Sequence, residues 1–222
     1  MNEVDKARRT RLFVAAQQLN LVLDDATVDQ MLVYLDLLQR WNRTYNLTAV
    51  RDPAEMLTQH VFDCLAVIGP LRRFASTGRL LDVGSGGGLP GIVISLVCPG
   101  WDVTCVDTVG KKAAFVQQVA VELRLPNLHS QHSRVEALTL PAFDVIASRA
   151  FASLPDFVKL TRRHLKASGV WMAMKGRRPD DELVELPPEV EMFHVEQLTV
   201  PDLAAERNIV WMRLQPPRFE EP

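Results

Sequence analysis

Only three cysteines occur in this chain of 222 residues, Cys64, Cys98 and Cys105, and no two of them form a CxxC pair. That is too few for a disulfide framework, so packing in a reducing cytoplasm is their expected role. Apolar runs of membrane-spanning length are missing. The start, Met1-Asn2-Glu3-Val4-Asp5-Lys6, is charged where a signal peptide would be apolar. A soluble, unexported, cytoplasmic protein with no membrane partner is the expectation. An excess of positive charge is missing too: 25 Lys+Arg stand against 27 Asp+Glu, a net charge of −2. Nucleic acid is then attracted only by a local basic face, not by the molecule as a whole. Neither an internal repeat nor a long disordered linker is visible.

What is present is apolar material, 47% of the residues, enough for one large domain or one domain with an appendage. Its focus is Leu80-Leu81-Asp82-Val83 followed by Gly84-Ser85-Gly86-Gly87-Gly88-Leu89-Pro90-Gly91. A short β-compatible run opening into glycines reads as strand, ligand loop and helix. Glycine lets the backbone turn sharply and lie against a ligand that a Cβ would push away. Pro90 suits the first turn of the helix that Ile92, Val93, Ile94, Leu96 and Val97 continue, and a ligand is expected at that helix's N-terminus.

Upstream, Val28, Met31, Leu32, Leu35 and Leu38 recur at helical spacing, with Trp41 extending the stripe and Asp25 and Thr27 available as caps. This stripe is expected to pack on the sheet. Asn42 to Thr48 breaks the period as a polar loop. Asp52-Pro53 with Glu55 then marks a helix start that runs to about Ile68. His60 and Asp63 share a face of it, as a site pair or simply a surface hydrogen bond, and by spacing alone the surface reading is the commoner. Downstream, strand and helix alternate: Asp102–Val106, a helix over Lys111–Leu123, a weak strand near Leu128, Phe143–Ser148, a helix over Pro155–Leu165, Val170–Met174, a helix near Asp180–Leu186, and strands Val190–Val200 and Ile209–Leu214. The pattern predicts a doubly wound parallel sheet ending in an antiparallel hairpin. His129 and His132 are read as solvated loop histidines with no metal role.

The glycines alone fit two ligands. Gly86, Gly88 and Gly91 match the dinucleotide GxGxxG spacing, whereas Asp82 with Gly84, Gly86 and Gly88 matches the spacing of S-adenosylmethionine enzymes. An acid at the strand end opposes a pyrophosphate and suits a cationic sulfonium, so Asp82 favours the second. Asp107, ending the next strand, suits ribose hydroxyls in either case.

At these residues the chain resembles the GidB/RsmG family. Asp82 to Gly91, Asp107 with Gly110-Lys111-Lys112, Ser133-Arg134-Val135-Glu136, Ser148-Arg149-Ala150-Phe151-Ala152-Ser153-Leu154 and Lys175-Gly176 carry the resemblance, with Asn46-Leu47-Thr48, Arg51-Asp52-Pro53 and His60 with Asp63 upstream. Gly87 stands where the family often has proline. The resemblance implies a class I S-adenosylmethionine-dependent methyltransferase fold, Rossmann-like over residues 71–222, with a helical extension at 1–70. It implies a bacterial enzyme that methylates guanine N7 in 16S ribosomal RNA near the decoding centre. Carried onto this chain, the S-adenosylmethionine contacts are Gly84, Leu89, Val135, Glu136 and Arg149, with Asp107 on the ribose; the reading of the glycine loop adds Asp82, Gly86 and Gly88. Arg149 and Lys175 are expected to be catalytic, and Asn46, His60, Arg134 and Lys175 to contact RNA. No metal and a monomer are expected.

Guanine N7 attacks through an in-plane lone pair without losing a proton, so no general base is demanded. Orientation and dipoles suited to the migrating charge carry the catalysis. Arg149 follows a strand into the ligand edge, where its planar fork suits RNA or cofactor, and an ion pair is its structural alternative. Arg8-Arg9 with Arg11, Arg72-Arg73, Lys111-Lys112, Arg162-Arg163 and Arg177-Arg178 are further basic points, most of them read as solvated. A nucleotide-sensing or NAD-binding regulatory module without methyl transfer is the alternative function.

Overall fold

The structure is a computed structural model and describes residues 3–149 and 151–215. Ala150 of the Arg149 segment, Met1, Asn2 and residues 216–222 lie outside the described residues. In chain order the elements are α1 (Glu3–Gln18), α2 (Asp25–Tyr45), α3 (Pro53–Met56), a π-helical turn (Leu57–Phe62), α4 (Asp63–Leu65), α5 (Ile68–Phe74), β1 (Gly78–Val83), α6 (Gly91–Val97), β2 (Trp101–Asp107), α7 (Gly110–Glu122), β3 (Leu128–His132), β4 (Phe143–Arg149), α8 (Leu154–Thr161), β5 (Leu165–Lys175), α9 (Asp180–Val184), β6 (Val190–Gln197) and β7 (Asn208–Leu214).

Helix α2 buries the predicted stripe and adds Tyr34 and Leu37 to it. Its cap is Asp24 rather than Asp25 or Thr27: the Asp24 carboxylate accepts from Thr27 N at 2.7 Å. Asp52 caps α3 as expected, accepting from Ala54 N and Glu55 N, with Pro53 in the first turn.

Among the described residues the strands form a seven-stranded sheet in the order β3-β2-β1-β4-β5-β7-β6. The pairings from β3 to β5 are parallel, and β7 pairs antiparallel with both β5 and β6, which is the predicted terminal hairpin. Strand order reverses between β1 and β4. Their C-terminal ends therefore diverge into loops on opposite faces, and the crevice at such a switch point is where open α/β sheets bind ligands. β5 starts earlier than predicted, pairing Leu165 with Phe143 across a register shift. β3 includes His129 and His132, which correct the loop reading: they sit on an edge strand, where His129 Nε2 pairs with Asp102 at 2.8 Å and His132 Nε2 lies 3.1 Å from the Thr108 carbonyl.

Successive β1 residues point to opposite faces, Leu80 into one apolar cluster and Leu81 into another. The Leu80 cluster is continuous from Leu12, Met31, Leu38 and Phe62 of the N-terminal helices to Ile92, Val103 and Phe115. The Leu81 cluster holds Ile146, Phe157, Trp171 and Val210. The N-terminal helices thus share a core with the sheet and bring their polar edge to the switch point. Among the described residues no helix is long and apolar enough to cross a membrane.

Candidate functional site

The loop after β1 is fastened from behind. Asp82 is fully buried; its Oδ2 accepts from Gly91 N at 2.8 Å and lies 3.8 Å from Cys105 Sγ, while Oδ1 has no partner among the described residues. Burial, the largest influence, pushes its carboxyl up to about 7. This corrects the expectation that Asp82 faces a cationic ligand. The first amide of α6, Gly91 N, is thereby engaged by Asp82.

The glycines divide between two tasks. Gly86 has φ +57°, and a Cβ there would meet nothing closer than the Gly84 carbonyl at 4.0 Å, so it faces open cavity. Gly88 has φ +81°, but a Cβ there would overlap Ile92 Cδ1, and the residue lines neither cavity of the site. Gly88 is set by packing against Ile92, not by open cavity.

Two cavities open at the switch point and share Gly84 in their walls. The first, about 560 Å³, is walled by Gly84, Ser85, Gly86, Gly87 and Leu89 on the loop side, by Thr48, Gln59, His60 and Asp63 from the N-terminal helices, and by Arg149, Lys175 and Arg207. The second, about 480 Å³, is lined by Asp107, Lys112, Arg134, Val135, Glu136 and Phe151. Asp107 is buried, with Oδ2 accepting from Gly86 N at 3.0 Å and Oδ1 from Val109 N at 2.9 Å, and Lys112 Nζ is 3.8 Å away. Arg134 lies beside Asp107, Val135 and Glu136, away from Lys175, with which it was grouped as an RNA contact.

The first cavity concentrates charge. Arg149 Nη1 donates to Asp63 Oδ2 at 3.2 Å and to the Gln59 carbonyl at 3.0 Å, and Arg207 Nε donates to Asp63 Oδ1 at 2.9 Å. Arg149 is therefore an ion-pair partner and a cavity residue at once. His60 and Asp63 are both buried, which corrects the surface reading. His60 Nε2 meets Thr48 Oγ1 at 2.9 Å, and burial, then the Arg149 charge, lowers the imidazole to about 4. Lys175 Nζ lies 2.8 and 3.0 Å from the Glu182 carboxylate oxygens and 3.1 Å from the Ala152 carbonyl. Asn46 lines neither cavity; in a left-handed conformation it ends α2, and its Oδ1 accepts from Arg51 at 3.0 Å.

Arg207 is the residue that sequence reasoning missed. The pairing of the sheet places it: β7 runs antiparallel, with Asn208 opposite Lys175, so the residue entering β7 reaches the edge where the parallel strands end. Several basic points proposed from sequence are internal ties instead. Arg8 pairs with Asp5 and Asp36, Arg9 with Asp25 and Asp29, Arg11 with Asp202 and Arg73 with Glu196.

Comparison with known proteins agrees with this architecture. The family described as GidB, rRNA small subunit methyltransferase G, matches residues 27–210. A protein of Paracidovorax citrulli (strain AAC00-1) named Ribosomal RNA small subunit methyltransferase G is 58% identical over 215 residues, covering 91% of this chain and 88% of its own. One of the same name from Polaromonas sp. (strain JS666 / ATCC BAA-500) is 59% identical over 201 residues, covering 88% of each chain. In fold, a crystal structure of a SAM dependent methyltransferase from Aquifex aeolicus is similar with a TM-score of 0.54 at 17% identity, covering 73% of this chain and 99% of that one.

Proposed function

We propose, from the premise that this chain belongs to the GidB family of rRNA small subunit methyltransferase G, that it transfers a methyl group from S-adenosylmethionine to N7 of a guanine in 16S ribosomal RNA, in the decoding region of the small subunit. The observation that carries the reading is the pair of cavities meeting at Gly84 on the switch point, one walled by the glycine loop and a cluster of cations, the other containing Asp107.

The residues present fit the cofactor. Gly86 offers bare backbone to open space, and each Asp107 oxygen has one backbone amide and a second lone pair left for a ribose hydroxyl. Gly84, Gly86, Leu89 and Asp107 would hold it, with Val135 and Glu136 at the far cavity. When bound, S-adenosylmethionine supplies an electrophilic methyl on a sulfonium. Asp82 acts from behind, holding the loop through Gly91.

None of the described residues lining the first cavity is poised as a base, in keeping with a nucleophile that carries no proton. His60 is neutral at physiological pH, and Asp63 is locked between two arginines. The remaining task is orientation. Arg149, Lys175 and Arg207 present cations where a nucleotide would enter, and the N-terminal extension, residues 1–70, supplies the facing wall. In this reading the protein acts as a cytoplasmic monomer, without metal, on the RNA or the small subunit. Its target guanine leaves the stack at a cost of about a few kcal/mol.

The experiment is a calorimetric titration with S-adenosylmethionine and with NAD, followed by methylation of small subunits from a strain lacking this protein. Binding of S-adenosylmethionine and one new guanine N7 methyl support the reading. Binding of NAD without methyl transfer contradicts it.

A further inference from the structure

Thr48 and His60 form a pair in the wall of the first cavity that the transfer itself does not require. The loop bearing Thr48 is pinned by the buried Asn42, whose Oδ1 accepts from Thr48 N at 2.9 Å and whose Nδ2 donates to the Val50 carbonyl at 3.2 Å. Thr48 Oγ1 accepts from Val50 N at 3.2 Å and contacts His60 Nε2 at 2.9 Å. His60 Nδ1 is buried and has no hydrogen-bond partner among the described residues, and the Gln59 carbonyl beside it already accepts from Arg149.

These contacts select a tautomer. A hydrogen on Nδ1 would find only the Gln59 carbonyl, in a geometry too poor for a hydrogen bond and on an oxygen that Arg149 already engages, and it would lie close to a guanidinium that opposes it; buried N–H groups left in that state are rare. A lone pair on Nδ1 is the better solution beside the Arg149 cation. The hydrogen then resides on Nε2 and is donated to Thr48 Oγ1. With one bond from Val50 and one from His60, both acceptor positions of that oxygen are filled. Its own hydrogen is the one valence left.

We infer that Thr48 determines the base specificity of this site, its hydroxyl donating a hydrogen bond to the O6 carbonyl of the acceptor guanine while His60 positions it. This rests on the methyl transfer proposed above. At the edge that carries N7, guanine presents the O6 acceptor where adenine presents an amino donor. A hydroxyl able only to donate accepts the first and repels the second. His60 is a positioning residue, and its low basicity keeps this arrangement the same across the physiological range.

The test is single-turnover methylation at saturating S-adenosylmethionine of an RNA whose target guanine is replaced by 2-aminopurine, which keeps N7 and lacks O6. Wild type, Thr48→Val and Thr48→Ser are compared, with cofactor affinity by calorimetry and fold by circular dichroism. Wild type should lose about 10- to 30-fold on the 2-aminopurine RNA, the loss expected when one neutral donor is left without its acceptor. Thr48→Val should lose a similar factor on the guanine RNA and little more on 2-aminopurine, while binding cofactor normally; Thr48→Ser should restore the rate. His60→Gln, which keeps the hydroxyl and loses its clamp, should fall between the two in its response to 2-aminopurine. A Thr48→Val enzyme with the wild-type rate on guanine, or with the full further loss on 2-aminopurine, overturns the inference. Failure of wild type to methylate guanine N7 at all would instead overturn the function on which it rests.

Discussion

Arg149 and Arg207 share one carboxylate: Asp63 Oδ2 accepts from the first at 3.2 Å and Oδ1 from the second at 2.9 Å. The Asp63 side chain is only 4% exposed, against 23% and 25% for the arginines. The acid is thus enclosed while both cations still reach the cavity. Through this contact the N-terminal helices fix the ends of β4 and β7.

Asp63→Asn should leave two guanidinium groups without their counter-charge. Breaking such a pair costs about 3–5 kcal/mol when fully buried, and the partial exposure of the arginines reduces the expectation to about 2–3 kcal/mol. A lowered thermal midpoint and a reduced methylation rate should appear together. An unchanged midpoint would mean that Asp63 does not organise this wall.

For the cofactor, Asp107→Ala should weaken S-adenosylmethionine binding by about 2–3 kcal/mol, because ribose hydroxyls lose a charged acceptor and the Gly86 and Val109 amides lose theirs. Arg149→Ala and Lys175→Ala should reduce methylation far more than cofactor affinity, since their cations face the proposed RNA side. Isothermal calorimetry set beside single-turnover rates separates the two groups. Unaltered affinity in a folded Asp107→Ala variant would remove that residue from the site.

Two glycines of one loop should behave oppositely. Gly86→Val should keep most of the fold, at a left-handed strain of about 1–2 kcal/mol, and lose cofactor binding, because its side chain enters open cavity. Gly88→Val should unfold the loop region, because the side chain overlaps Ile92. Circular dichroism melting with a binding titration distinguishes these outcomes; equal destabilisation by both would contradict the division of tasks.

Stability should carry two opposed pH dependences. Asp82, pushed up to about 7 from 3.8, holds a proton in the folded chain that the unfolded chain has released, so its contribution is full below about pH 4 and is lost as pH rises through about 7. His60, lowered to about 4 from 6.5, contributes above about pH 6.5 and loses that contribution as pH falls through about 4. Asp82→Asn removes the first effect and keeps an acceptor for Gly91 N. In urea unfolding it should gain roughly 2 kcal/mol on wild type between pH 5.5 and pH 8. Parallel curves for the two proteins would show that Asp82 does not titrate in the fold.

The sheet was legible because its strands are short apolar runs that end in acids or loops, and the helix stripe of α2 because its period is regular. Caps were legible as types but not as positions: Asp24, Asp25 and Thr27 are all competent, and only geometry chooses Asp24. The glycine loop was legible as a loop, whereas the sorting of Gly86 to open cavity and Gly88 to packing depends on Ile92, one helical turn further on. Asp82 misled for a related reason. An acid at a strand end looks outward in sequence, and nothing in its neighbours shows that Gly91 turns back to take it. Arg207 was invisible until the β5–β7 pairing placed it, because no local pattern marks the residue before an edge hairpin. The clustering of Asp63 with two arginines is likewise a property of the tertiary fold.

The most direct test of the account is a mass-spectrometric map of small-subunit RNA from a strain lacking this protein, before and after incubation with the purified protein and S-adenosylmethionine carrying an isotopically labelled methyl. The expected result is a single labelled methyl on N7 of one guanine in the decoding region. Label on another atom or another RNA, or no label despite cofactor binding, would contradict it.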